Sequence, residues 1–216
     1  MDLVPCKVSL IDTYYHGQSN SVIKVQNYTK IGATVCALDI SKAYERVDQY
    51  ASLNLLMDKK VPKYFINVML SWIKKGSAYV RWGNVISFTF TISPGVRQGG
   101  LLSPLLFAVY MDVLINRLRN AGYGCKLVQR FVGCLLHADD IVSLAHSLNA
   151  IRQMLKICDE FATEFDTKFN SSKSVVMRIG DRYKVKYGPL MLAGCKLQFV
   201  QSLKYLGVQF VASKKL

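Results

Sequence analysis

The sequence predicts an α+β fold, a mostly antiparallel sheet with helices on one side. Two observations carry this reading. Short runs of β-branched and aromatic residues are interleaved with segments of helical periodicity, in the order strand, helices, hairpin, helix, hairpin, helix, strands. Hydrophobic residues make up 51% of a 216-residue chain, enough to build a core without disulfide staples.

The elements follow in order. The apolar run Thr34–Leu38 reads as a buried strand, and a helix is expected from Val47 to Asp58. Pro62 stands at a first helical turn that continues from Tyr64 to Lys74 and stops at Gly76. Ala78–Trp82 and Val85–Thr91 flank Gly83-Asn84, a hairpin signal. After the glycine-rich segment Gly95–Gly100, Ser103-Pro104 pairs an N-cap residue with proline at the first helical position. That helix should reach Asn120, with Gly122 just beyond. Leu127–Leu136 and Ile141–Ala145 read as strands joined at His137-Ala138-Asp139-Asp140. Ser147 caps a helix with Leu148, Ile151, Leu155, Cys158 and Phe161 on one stripe. Short strands follow at Ser174–Arg178, Leu190–Leu192, Leu197–Val200 and Tyr205–Val211. With no repeat or linker, the chain reads as one domain over 1–216, its core at about 34–210.

Charge narrows the partners. Lys and Arg number 28 against 14 Asp and Glu, a net charge of +14. Nucleic acid is the leading polyanionic partner and an anionic membrane surface the second, while a solvated basic surface needs neither. The longest apolar stretch, Leu101–Ile115, is broken by Ser103, Pro104 and Asp112 and falls short of the roughly 20 residues of a spanning helix. No secretory signal opens the chain. The six cysteines show neither C-x-x-C nor zinc spacing, and several lie in apolar runs and read as buried thiols in a reducing intracellular setting, nucleus or cytoplasm.

Against this basic background three acids stand out. Asp39 ends an apolar strand, and Asp139 and Asp140 are adjacent in a tight turn between apolar strands. Neighbouring carboxylates repel and are costly to desolvate, so a positive partner is expected. Oxygen ligands with one histidine nearby suit Mg2+ better than zinc. Two paired strands would set Asp39 beside the Asp139-Asp140 turn, a cluster able to hold two metal ions for phosphoryl or nucleotidyl transfer. A plain hairpin turn also explains the Asp-Asp pair, because Asp favours turns.

The motifs around these acids resemble those of reverse transcriptases. Ala37-Leu38-Asp39-Ile40-Ser41-Lys42-Ala43-Tyr44-Glu45-Arg46-Val47 resembles the first palm motif, and Gly95-Val96-Arg97-Gln98-Gly99-Gly100-Leu101-Leu102-Ser103-Pro104-Leu105-Leu106-Phe107 the glycine-glutamine motif. His137-Ala138-Asp139-Asp140 is similar to the Tyr/Phe-Ala-Asp-Asp box. Asn170-Ser171-Ser172-Lys173 resembles the lysine motif that follows, and Leu203-Lys204-Tyr205-Leu206-Gly207-Val208 the primer-grip hairpin. All five occur in the family's order. The starts and ends of the glycine-glutamine motif are most similar to non-LTR (LINE-type) retrotransposon enzymes. Group II intron maturases share its Gln-Gly-Gly and Ser-Pro-Leu-Leu core and are the nearest competitor.

The resemblance implies a right-hand polymerase palm with partial fingers (1–33) and little or no thumb, a piece of a longer retroelement protein. It implies RNA-directed DNA synthesis from an RNA template, a DNA primer and dNTPs, with two Mg2+ ions or Mn2+ in their place and no membrane. Asp39, Asp139, Asp140 and the peptide oxygen of Ile40 would be metal ligands. Tyr44 would be a steric gate against the ribose 2′-hydroxyl. Arg97, Gln98 and Gly99 would lie near the incoming nucleotide, and Lys173 would donate a proton to the leaving pyrophosphate or steady its charge. Leu206 and Gly207 would turn the primer grip. Each position also has a plainer use: Tyr44 in the core, the glycines and Leu206-Gly207 in ordinary turns, Arg97 and Lys173 in solvent.

Two departures from the pattern stand out. His137 replaces the usual Tyr or Phe, and a protonated imidazole there would compete with a metal ion. Glu45 replaces the usual Asp. The finger motifs, an endonuclease domain and a Cys/His knuckle are not found. A catalytically silent remnant that binds RNA or an RNA–DNA duplex is therefore the alternative to an active polymerase.

Overall fold

The computed structural model describes residues 32–91, 95–96, 99–127, 130–180, 185 and 188–213. The partial fingers expected over 1–33 therefore lie almost entirely outside the described residues, as do Arg97 and Gln98.

The apolar run at the start becomes strand β1 (Ala33–Asp39), one residue longer at each end than expected. A 3-10 turn over Tyr44–Arg46 leads to helix α1 (Gln49–Asp58). This helix starts two residues later than expected. Asp48 takes the N-cap, its carboxylate accepting from the N–H groups of Tyr50 and Ala51, and Val47 stays outside. Helix α2 (Lys63–Lys74) has Pro62 at its N-cap. The Gly83-Asn84 hairpin forms but is broken into four two-residue strands, β2 (Ser77–Ala78), β3 (Arg81–Trp82), β4 (Val85–Ile86) and β5 (Phe90–Thr91), pairing β2 with β5 and β3 with β4. Between the pairs, Ser87 Oγ accepts from the Val80 N–H in place of a ladder carbonyl.

Helix α3 (Ser103–Ala121) ends as expected, with Gly122 left-handed at φ 74. Its N-cap is Leu102, not Ser103, so Pro104 falls inside the first turn. The expected strand Leu127–Leu136 is instead three pieces: β6 (Lys126–Leu127), β7 (Arg130–Phe131) and β8 (Cys134–His137). The break has a physical cause. Gly124 and Gly133 cross so closely that a Cβ on Gly124 would lie 2.5 Å from the Gly133 Cα, and the chain cannot run straight there. Strand β9 (Asp140–Ala145) and helix α4 (Leu148–Glu164) follow, with Ser147 Oγ accepting from the Ala150 N–H as the expected cap.

Strand β10 (Val175–Ile179) precedes a β11–β12 ribbon (Met191–Leu192, Cys195–Lys196) and strand β13 (Gln198–Phe199). The last expected strand, Tyr205–Val211, is a hairpin of β14 (Ser202–Tyr205) and β15 (Val208–Val211). Its two-residue turn places Leu206 at φ 47 and Gly207 at φ 81, both left-handed as a type I′ turn requires.

The main sheet has the order β13-β10-β1-β9-β8, antiparallel except for the β10–β13 pair. Its two faces bury different partners. Cys36, Leu38, Ile141 and Ala145 face α3 and α4, packing on Met111, Leu114, Leu155 and Phe161. Val35, Val142, Met177 and Ile179 face the other way and pack under Leu203 with Tyr205 and Phe210 of the last hairpin. The helices thus lie on one side as expected, and the β14–β15 hairpin covers part of the other. Four of the five described cysteines are buried, and burial pushes the thiols of Cys36 and Cys134 up to about 12, so neither is a ready nucleophile. Among the described residues no helix is long and apolar enough to cross a membrane.

Candidate active site

The central strands bring the acids together. In the β1–β9 register Asp39 is the direct partner of Asp140, and in β8–β9 Asp140 is the partner of His137. Side chains alternate along a strand. Asp39 therefore lies on the face of Val35 and Ala37, and Asp140 on the face of Val142. His137, Asp140 and Asp39 form one row across three strands, on the side that carries the β14–β15 hairpin. Asp139 sits in the turn between β8 and β9, beside Ala138 at φ 51.

The row is open rather than buried. Asp139, Asp140 and His137 are exposed and Asp39 is half-buried. Repulsion is nevertheless present. Partial burial first, then the charges of Asp139 and Asp39, hold the Asp140 carboxyl above its ordinary value, and His137 works the other way. The folded protein therefore binds a proton at Asp140 more readily than the unfolded chain. The charged form costs stability in full above the raised value, and that cost fades as pH falls to the ordinary 3.8. Without divalent cations, Asp140→Asn should raise the melting temperature at pH 7 and raise it less at pH 4. A lower melting temperature at pH 7 would contradict this.

The segment after α4 is tied to the same strand end. Asn170 donates its backbone N–H to the Asp39 carbonyl at 2.8 Å, Ser41 donates to Lys168 O at 2.8 Å, and Ile40 bridges to Phe169. Ser174 is buried. Its Oγ accepts from the Asp39 N–H at 3.1 Å and donates to the Asn170 carbonyl at 2.7 Å. Asn170 Oδ1 accepts from both the N–H and the hydroxyl of Ser172, closing an Asx-type turn that carries Lys173, exposed, to the end of β1. Ser174 was not singled out in the sequence, although the Asn-Ser-Ser-Lys-Ser run signals such a turn. Ser174→Ala leaves the Asp39 N–H without its acceptor and should destabilise the fold by about 1–2 kcal/mol in urea unfolding.

A second group forms around Tyr44. Its ring stacks on Phe107 with centroids 4.9 Å apart and 28° between planes. The glycine loop is pinned to its backbone: Val96 donates to Tyr44 O at 2.7 Å, Gly95 to Val47 O at 3.1 Å, and Gln49 Nε2 to Gly95 O at 2.6 Å. Gly99 has φ 78, with open space where a side chain would be. Leu206 and Gly207 are exposed at the tip of the hairpin on the acid face. The Ile40 side chain is buried, leaving only its backbone for any ligand role.

The donor set fits a hard divalent cation. Among the described residues no three His, Cys, Asp or Glu side chains close around an ion by themselves. Magnesium asks for less: one or two carboxylates, with substrate phosphates and water completing the shell. Asp39 and Asp140 on neighbouring strands, with Asp139 alongside, supply that number of hard oxygens.

Comparison with known proteins bears on the family and the fold. Residues 9–210 match the family model described as reverse transcriptase (RNA-dependent DNA polymerase). The chain is 26% identical over 187 residues to the Pol polyprotein of retrotransposable element R2DM of Drosophila melanogaster, covering 83% of this chain and 18% of that protein. It is 33% identical over 139 residues to the R2 Pol polyprotein of Nasonia vitripennis, covering 63% of this chain and 13% of that one. It is 26% identical over 205 residues to the RNA-directed DNA polymerase from mobile element jockey of Drosophila funebris, covering 89% and 22%. The chain thus spans about a quarter or less of the length of the curated relatives it matches. In fold it is similar to apo telomerase of Candida tropicalis lacking its C-terminal domain, with TM-score 0.58 and 16% identity over 85% of this chain and 34% of the other. Telomerase from the same organism with a fragment of telomeric RNA gives TM-score 0.59 and 14% identity over 79% and 29%.

Proposed function

Because the chain belongs to the reverse transcriptase (RNA-dependent DNA polymerase) family, with relatives among LINE-type retrotransposons, we propose that it is the palm of a retroelement polymerase that extends a DNA primer on an RNA template. One observation carries the catalytic reading: Asp39 and Asp140 are partners on adjacent strands, with Asp139 in the turn beside them. In the proposed reaction the primer 3′-hydroxyl forms a bond to the dNTP α-phosphorus and the bond to pyrophosphate breaks.

Asp39, Asp139, Asp140 and the Ile40 carbonyl would hold the divalent cations. Bound there, these would ease loss of the hydroxyl proton and neutralise charge on the phosphates. The chain's own residues do the rest. Lys173 is carried by the Asn170 turn to the end of the strand that bears Asp39, where its ammonium would protonate or steady the leaving pyrophosphate. Tyr44, braced by Phe107, presents a flat ring against the sugar. The β14–β15 hairpin stands on the acid face, where a primer end must arrive.

Mg2+-dependent primer extension on an RNA template by the purified chain tests this reading. The silent-remnant reading has its own support in the exposed, loosely gathered acids and in His137 beside them. It predicts retained RNA binding with no extension. The gate carries a separate prediction: Tyr44→Ala should raise rNTP incorporation relative to dNTP by about tenfold or more, since the hydroxyl loses its steric barrier. An active variant that takes rNTPs no better than the parent removes the gate.

A further inference from the structure

Residues 59–91 have a composition of their own. They carry six cations, Lys59, Lys60, Lys63, Lys74, Lys75 and Arg81, and no acid, and they hold both tryptophans of the chain; of the cations, Lys59 is paired with Asp112 of α3. The structure turns much of this stretch outward. Tyr64 on α2 is 73% exposed, Trp82 on the ribbon 85% and Phe88 98%. Every described residue from Tyr79 to Thr91 is exposed. Among the described residues the β2–β5 ribbon pairs only with itself. Such a ribbon is marginal in water, and an aromatic surface of this kind marks a contact site. Lys74 at the end of α2 and Thr91 at the base of the ribbon line one cleft, which Arg46, Asp48, Glu164 and Asp166 share.

We propose that α2 and the β2–β5 ribbon form a stacking platform for single-stranded RNA, on elements other than those that carry the acid row. A single strand answers both features at once, its bases stacking on open aromatic faces and its phosphates meeting the cations. A second copy of the chain would cover the rings but set unpaired cations against cations in a molecule of net charge +14. The platform does not depend on catalysis. The choice of RNA over DNA rests on the proposed function.

Binding of an oligo(U) strand of about 12 nucleotides, within the usual span of such sites, is the test. Fluorescence anisotropy of an end-labelled strand reads the binding, so the readout survives the loss of Trp82 in the variant. Replacing two open rings together, Trp82→Ala with Phe88→Ala, should weaken binding by about tenfold or more. The salt slope should hold, because every cation remains. An unchanged melting temperature checks that the variant folds, as expected for rings so exposed. Unchanged affinity in the double variant would overturn the proposal. So would oligo(dT) or duplex RNA binding as tightly as oligo(U), or a parent that self-associates and a variant that does not. Asp139→Asn should bind oligo(U) like the parent. Primer extension measured beside it reports the catalytic reading separately, so either can fail alone.

Discussion

Asp139→Asn should abolish primer extension while leaving RNA binding intact. Asn keeps the size of Asp and removes one of the three acids proposed to hold the divalent cations. The loss should exceed the roughly 10–100-fold that follows when only an outer partner of a metal ligand is removed, so at least about a thousandfold is expected. Polyanion binding should hold or tighten slightly, because the net charge rises from +14 by one. Asp39→Asn should behave alike, as Asp39 is the cross-strand partner of Asp140. Steady-state extension with saturating Mg2+, beside oligonucleotide binding, is the measurement. Equal extension by parent and variant would overturn the assignment of the acids. No extension by either would leave the family standing and favour the silent remnant.

The acid row was legible because motif order fixes topology. Two apolar strands ending in Asp39 and beginning at Asp140 have one antiparallel register that buries their apolar faces, and that register makes the acids neighbours. The helices were legible for similar reasons: the periodic stripe of α4 and the Ser147 cap left little choice. What stayed hidden depended on contacts distant in sequence. Leu127–Leu136 reads as one strand until Gly133 meets Gly124. The hairpin turn at Leu206-Gly207 was legible only through its motif, because Leu at a left-handed position lacks the usual Asn or Gly signal and the apolar run by itself reads as one strand. Ser174 looked like one more serine, and only the fold brings its hydroxyl under the Asp39 amide.

Gly95→Ala should cost both stability and activity, by more than its single methyl group suggests. Gly95 has φ 104, a backbone conformation that side-chain-bearing residues rarely adopt. A Cβ there would lie 2.6 Å from the Glu45 carbonyl oxygen and 2.7 Å from the Glu45 Cα, both backbone atoms that cannot swing aside. Relief requires moving the loop, which breaks the ties to Tyr44, Val47 and Gln49 that hold it. Dihedral strain of about 1–3 kcal/mol plus the lost hydrogen bonds gives an expected loss of roughly 3 kcal/mol or more in urea unfolding. Gly83→Ala separates the two causes. Gly83 also has a positive φ, 60, but a Cβ on it meets nothing within 4 Å, so only the dihedral penalty of about 1–2 kcal/mol applies. The excess at Gly95 measures the contact with Glu45. Because Val96 hangs from the Tyr44 carbonyl, the same variant should blur discrimination between dNTP and rNTP, which Gly83→Ala should leave alone. If the two alanine variants lose equal stability and equal selectivity, the glycine loop does not brace Tyr44.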